Sequence, residues 1–68
     1  MAQSNSVEIR IRDAKPTMTR VERTVAEYVE PRLALVKAMS IKQLAHNSRT
    51  SEASVLRFCK TLGYRGYR

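Results

Sequence analysis

Ser51, Ala53, Ser54, Arg57, Lys60 and Thr61 crowd into one short stretch, SEASVLRFCKT. Stepped at about 100° per residue, Ala53, Arg57, Lys60 and Thr61 fall on one side of a helix, with Ser54 at its flank. Val55, Phe58, Cys59 and Leu62 fall on the other side, and Leu56 lies between the two. The outward set suits recognition rather than catalysis. A guanidinium such as that of Arg57 can give two parallel donors to a guanine edge. Hydroxyl and ammonium groups donate to phosphate or base edges. A small residue such as Ala53 permits close approach and can touch a thymine methyl. Phosphate contacts position a protein on a duplex, and base contacts specify the sequence. No nucleophile–base pair, paired carboxylates or phosphate-binding glycine loop occurs in the chain, so no enzyme is expected.

Such a face needs a scaffold, and the chain supplies the signals for one. Ser51 reads as the N-cap of this helix, with Glu52 in the first turn where a carboxylate suits the helix dipole. Gly63 reads as its stop, which makes 51–62 the expected recognition helix. Upstream, Ser40-Ile41-Lys42-Gln43 has the form of a capping box. The helix it opens puts Ile41, Leu44, Ala45 and Ser48 on one side, with small Ala45 where the next helix must come close. Asn47–Thr50 forms the turn between the two. A second box, Thr19-Arg20-Val21-Glu22, opens a helix over about 20–30 with Val21, Val25, Tyr28 and Val29 as its apolar face. Pro31 is expected as the first residue of a further short helix, with Leu33, Leu35, Val36 and Met39 as its contacts. Residues 7–12 (VEIRIR) alternate apolar and charged, which favours a strand. No second alternating run can pair with it, so an ordered arm or short helix is expected over 1–16, frayed at MAQSNS and interrupted at Lys15-Pro16.

The expected fold is therefore all-α: a small, homeodomain-like helical bundle in which residues 17–68 form a helix-turn-helix. That device lays its second helix in the major groove of DNA. Further phosphate contacts are expected from Lys42, Arg49, Thr50, Arg65 and Arg68.

Charge agrees with this reading. Thirteen Lys and Arg stand against six Asp and Glu, giving a net charge of +7 and a pI near 10.4. Such an excess draws polyanions, either nucleic acid or an anionic membrane. No apolar run approaches the roughly 18 residues of a membrane span. The start of the chain lacks the apolar core and cleavage pattern of a secretory signal. A cytoplasmic, nucleoid-associated bacterial location is expected. Cys59 is the only cysteine, so no intrachain disulfide can form, and with His46 as its only soft partner it cannot build a zinc site. No cofactor or metal is expected. Cys59 is expected to be a buried apolar residue, and His46 an exposed one near the end of its helix. The alternative function, a helical protein-interaction or dimerisation module, calls for apolar anchors on the exposed face, where this chain offers Ser54, Arg57 and Lys60.

The stretch Met39–Tyr67, MSIKQLAHNSRTSEASVLRFCKTLGYRGY, resembles the N-terminal domain of RpiR-type transcription regulators. The resemblance is carried by Met39-Ser40-Ile41, Leu44-Ala45, Ser51, Ser54-Val55, Arg57-Phe58-Cys59-Lys60, Leu62-Gly63-Tyr64 and Gly66-Tyr67. The run Glu22-Arg23, Val25-Ala26, Tyr28-Val29 is similar to an upstream helix of that family. The resemblance implies a homodimer on operator DNA near sugar-metabolism genes. It also implies a C-terminal sugar isomerase domain that senses a phosphosugar effector, and this chain would be the DNA-binding domain without it. Tyr64 and Tyr67 would then form a hydrophobic hinge toward that domain. Three departures stand out. Arg49 occupies a turn position where the family usually has Gly, and at positive φ it would be strained. Thr50 stands where Val is usual, and Pro31 comes about two residues early.

Overall fold

A computed structural model gives the structure of residues 6–66. The start of the MAQSNS segment (1–5), Tyr67 and Arg68 lie outside the described residues. Within them the chain forms α1 (Ser6–Ala14), α2 (Arg20–Val29), α3 (Leu33–Val36), α4 (Ile41–Asn47) and α5 (Glu52–Thr61). Short 3-10 turns at Lys15–Thr17 and Glu30–Arg32 join α1 to α2 and α2 to α3. The described residues contain no strand, and the fold is the all-α bundle expected.

Helix starts follow the local chemistry. Thr19 Oγ1 accepts from the Glu22 N–H at 3.2 Å, and the Glu22 carboxylate accepts from the Thr19 N–H at 3.2 Å. Ser40 and Gln43 make the same reciprocal pair at 3.1 and 2.9 Å. Each box satisfies two N–H groups that a helix start leaves without intrahelical partners. Glu22 is buried although charged, because its carboxylate is bound into this cap.

α2 and α4 both pack on α5. The core joins Val25, Ala26 and Val29 of α2, Leu44 and Ala45 of α4, and Val55, Phe58 and Cys59 of α5, with Ile11, Met18 and Leu62 beside them. Ala45 is buried at the α4–α5 approach, as its size requires.

The open choice between an arm and a short helix resolves to a helix, and three expectations change. The VEIRIR run is helical: Val7, Ile11 and Ala14 face inward at helical spacing, and Ile11 is fully buried while Ile9 is 43% exposed. A helix satisfies its own backbone groups, whereas a lone strand cannot, and this outweighs the period-two pattern. Val21 does not join the apolar face of α2. It is 44% exposed, and Glu22 takes the inward position because the cap holds it there. Leu35 is likewise exposed, leaving Leu33, Val36 and Met39 against the core. Pro31 sits inside the 3-10 turn at Glu30–Arg32, and α3 starts only at Leu33. The α1–α2 corner is held by Lys15 Nζ, which lies 2.7 Å from Glu30 Oε1, and by Arg23, which donates to the Lys15 carbonyl at 3.1 Å.

Candidate nucleic-acid interface

The turn between α4 and α5 is built from backbone bonds around one left-handed residue. Arg49 sits at φ 61. Its N–H donates to the His46 carbonyl at 3.1 Å, and the Thr50 N–H donates to the Ala45 carbonyl at 2.9 Å. These bonds satisfy carbonyls that the end of α4 would otherwise leave open. Below them, buried Ser48 donates its hydroxyl to the Leu44 carbonyl at 2.8 Å and meets the Thr50 hydroxyl at 2.9 Å. The turn keeps its form with Arg49 in place of the usual Gly. Thr50 offsets the lost apolar contact with a hydroxyl–hydroxyl bond.

α5 starts at Ser51, whose oxygen accepts from the Ser54 N–H at 3.1 Å. The two side-chain oxygens lie 2.9 Å apart. One hydroxyl donates to the other, so the pair retains one O–H donor to give outward. Ser51 and Ser54 are expected to meet phosphate or base edges. They form one coupled unit.

Along α5, Val55, Phe58 and Cys59 are buried and Ala53, Arg57 and Lys60 are exposed. Ser54 and Thr61 are half-buried at the margins. Leu56, at 38% exposed, is the large apolar side chain nearest the outward face. Lys42 is exposed in the first turn of α4, Arg49 at the turn, and Arg65 beyond the end of α5. Arg68 lies outside the described residues. The ion pair among the described residues is Lys15–Glu30, so no described carboxylate neutralises Lys42, Arg49, Arg57, Lys60 or Arg65. The surface is therefore cationic, backed by buried side chains, and its cations make no ion pair with the described carboxylates.

Two other residues fall as expected. Cys59 is buried, and desolvation pushes its thiol pKa up from the ordinary value. His46 is exposed in the last turn of α4. No group of His, Cys, Asp and Glu among the described residues has the arrangement of a metal site. No helix among them is long and apolar enough to cross a membrane.

The end of α5 holds contacts that sequence reasoning misses. Arg10 of α1 donates to the Leu62 carbonyl at 3.0 Å, and its guanidinium carbon lies 4.7 Å from the Tyr64 ring centroid. Tyr64 is half-buried and packed against the core. No local pattern around Arg10 announces this, because the partner is 52 residues away.

Residues 5–68 match the helix-turn-helix domain of the rpiR family. The chain belongs to that family. As an rpiR-family domain it is similar to an uncharacterized HTH-type transcriptional regulator of Caldanaerobacter subterraneus subsp. tengcongensis, with 37% identity over 57 residues, 84% of this chain and 20% of the relative. It is also 30% identical over 67 residues to an uncharacterized HTH-type transcriptional regulator of Haemophilus influenzae, covering 98% of this chain and 23% of the relative. Among solved structures, the Vibrio vulnificus NanR protein complexed with ManNAc-6P superposes with a TM-score of 0.85 at 36% identity, over 90% of this chain and 23% of that one. The rpiR-family domain thus spans 20% to 23% of the length of these relatives. It is a helix-turn-helix domain, and both relatives carry the name HTH-type transcriptional regulator.

Proposed function

We propose that this domain binds double-stranded DNA sequence-specifically, with α5 in the major groove. The observation that carries the reading is the exposed Ala53, Arg57 and Lys60 face of α5, backed by buried Val55, Phe58 and Cys59 and paired to no described carboxylate. Arg57 reads a base, by the two-donor geometry of its guanidinium. Lys42, Arg49, Thr50, Lys60, Thr61 and Arg65 meet phosphates, the Ser51–Ser54 pair gives its free O–H to the backbone or a base edge, and Ala53 lets the helix approach.

The parent protein is proposed as a bacterial regulator of sugar or sugar-phosphate metabolism, acting as a homodimer on operator DNA at the nucleoid. Support for the sugar link comes from NanR, a similar protein whose solved structure carries ManNAc-6P. A phosphosugar effector would act on a part of the protein outside this chain. The rival reading, a protein-interaction module, needs apolar anchors on the outward face of α5. Leu56 alone offers one there.

The test is selection of tight binders from a pool of genomic duplex fragments, followed by fluorescence anisotropy across a salt series. A common motif with a steep negative salt slope is the expected result. Salt-sensitive binding without a motif would sink sequence specificity, and no binding at low salt would put the protein-interaction reading first. Arg57→Ala should weaken binding to the selected motif by about 1–3 kcal/mol and relax one base position. Unchanged affinity would remove Arg57 from that role.

A further inference from the structure

The C-terminal end of α5 is held from a distant part of the chain. Its terminal carbonyls need partners, as at every helix end. The Gly63 N–H takes the Lys60 carbonyl at 2.9 Å and the Tyr64 N–H takes the Cys59 carbonyl at 3.0 Å. The Leu62 carbonyl is taken by the Arg10 guanidinium at 3.0 Å. A cation at a helix C-terminus also offsets the negative end of the helix dipole. The same guanidinium covers the Tyr64 ring at 4.7 Å, an arrangement that suits the flat, weakly hydrated arginine group. A Cβ at residue 63 would stand 3.1 Å from Arg10 Nη1, close enough that the guanidinium would have to give by a few tenths of an ångström. The next residue along α1, Ile11, is fully inside the core, so the helix is anchored directly beside the exposed Arg10.

We propose that Arg10 is a positioning residue for DNA reading. It touches no DNA. It fixes the far end of α5 and the chain leaving it, and so sets where Lys60, Thr61 and Arg65 stand relative to Arg57. The inference rests on the DNA-binding reading above. It adds that α1, remote in sequence from the helix-turn-helix, is part of the reading head. A bond between a charged guanidinium and a backbone carbonyl is among the stronger kinds of hydrogen bond.

The experiment compares the 68-residue chain with Arg10→Met and Arg10→Lys, at a temperature where all three show the same far-ultraviolet circular dichroism. Without DNA, amide exchange at Gly63 and Tyr64 is expected to quicken about tenfold in Arg10→Met while exchange at Val55 and Phe58 stays nearly unchanged. With the selected duplex, affinity is expected to fall roughly fivefold with the salt slope unaltered. Arg10→Lys keeps the charge but not the stacked plane, and should recover part of both losses. Three results overturn the proposal. Equal quickening at all four amides would mean general destabilisation. A salt slope shallower by about 0.9 would make Arg10 a direct phosphate contact. Full affinity in Arg10→Met would mean that the clasp does not bear on reading. A wild-type chain that binds no duplex defeats the DNA-binding reading itself, and is distinguished by that control.

Discussion

α4 and α5 stop in the same way but on different residues. Each ends in a pair of backbone bonds closed around one residue of positive φ: Arg49 at φ 61 after α4, and Gly63 at φ 99 after α5. The first angle lies in the narrow left-handed region that side-chain-bearing residues can enter at a cost. The second lies beyond it, where glycine alone is comfortable. Surroundings widen the contrast. The Arg49 side chain is exposed on the cationic face, whereas the missing Cβ of Gly63 leaves room for Arg10. One helix end is thus shaped by what its side chain can reach, and the other by what must fit against it. The same backbone motif therefore carries different constraints on the two sides of α5.

The contrast can be tested at both ends. Gly63→Ala should have the largest effect, since it meets both the unfavourable φ and the Arg10 guanidinium. It should destabilise the domain by about 1–2 kcal/mol in urea unfolding. Wild-type stability would mean that the end of α5 can relax, and would erase the distinction. Arg49→Gly should act the opposite way on folding, stabilising by about 0.5 kcal/mol as the left-handed strain is relieved. It should also weaken DNA binding, with a salt slope shallower by about 0.9 as one phosphate contact is lost. A less stable Arg49→Gly would show that the arginine side chain packs on the fold. Thr50→Val should matter least. Losing the hydroxyl bond to Ser48 and gaining apolar contact nearly cancel, leaving a change within about 0.5 kcal/mol in thermal unfolding, because Ser48 keeps its bond to the Leu44 carbonyl.

How much of this could be read from the residues depends on the range of the interaction. The capping boxes at Thr19–Glu22 and Ser40–Gln43, the Ser51 cap and the Gly63 stop all stand where local chemistry puts them, because their partners lie three or four residues away. The division of α5 into buried Val55, Phe58, Cys59 and exposed Ala53, Arg57, Lys60 follows from helical period alone. Trouble begins where burial is decided by a neighbour. Val21 and Leu35 are apolar yet exposed, and Glu22 is charged yet buried, because each answers to what packs beside it. The VEIRIR run carries a strand pattern locally; the absence of a partner strand points to an arm or a short helix, and the burial of Ile11 goes with the helix. Arg10 gave no signal at all: nothing in a run of alternating residues says that one of them will close the far end of the last helix. The cationic face was legible as a set of side chains, while the coupling of Ser51 to Ser54 within it was not, since that depends on rotamers.

Cys59 gives the molecule a property of another kind. Its thiol is buried on the inner side of α5, and desolvation holds it protonated above the ordinary thiol range. A protonated thiol behind packed side chains is a poor nucleophile, so a thiol reagent must wait for the core to part. The speed of its capture therefore counts openings of the very helix proposed to enter the groove. A ligand that favours the closed form lowers that count in proportion to its occupancy. The chain thus carries, without any added label, a chemical clock for its own breathing.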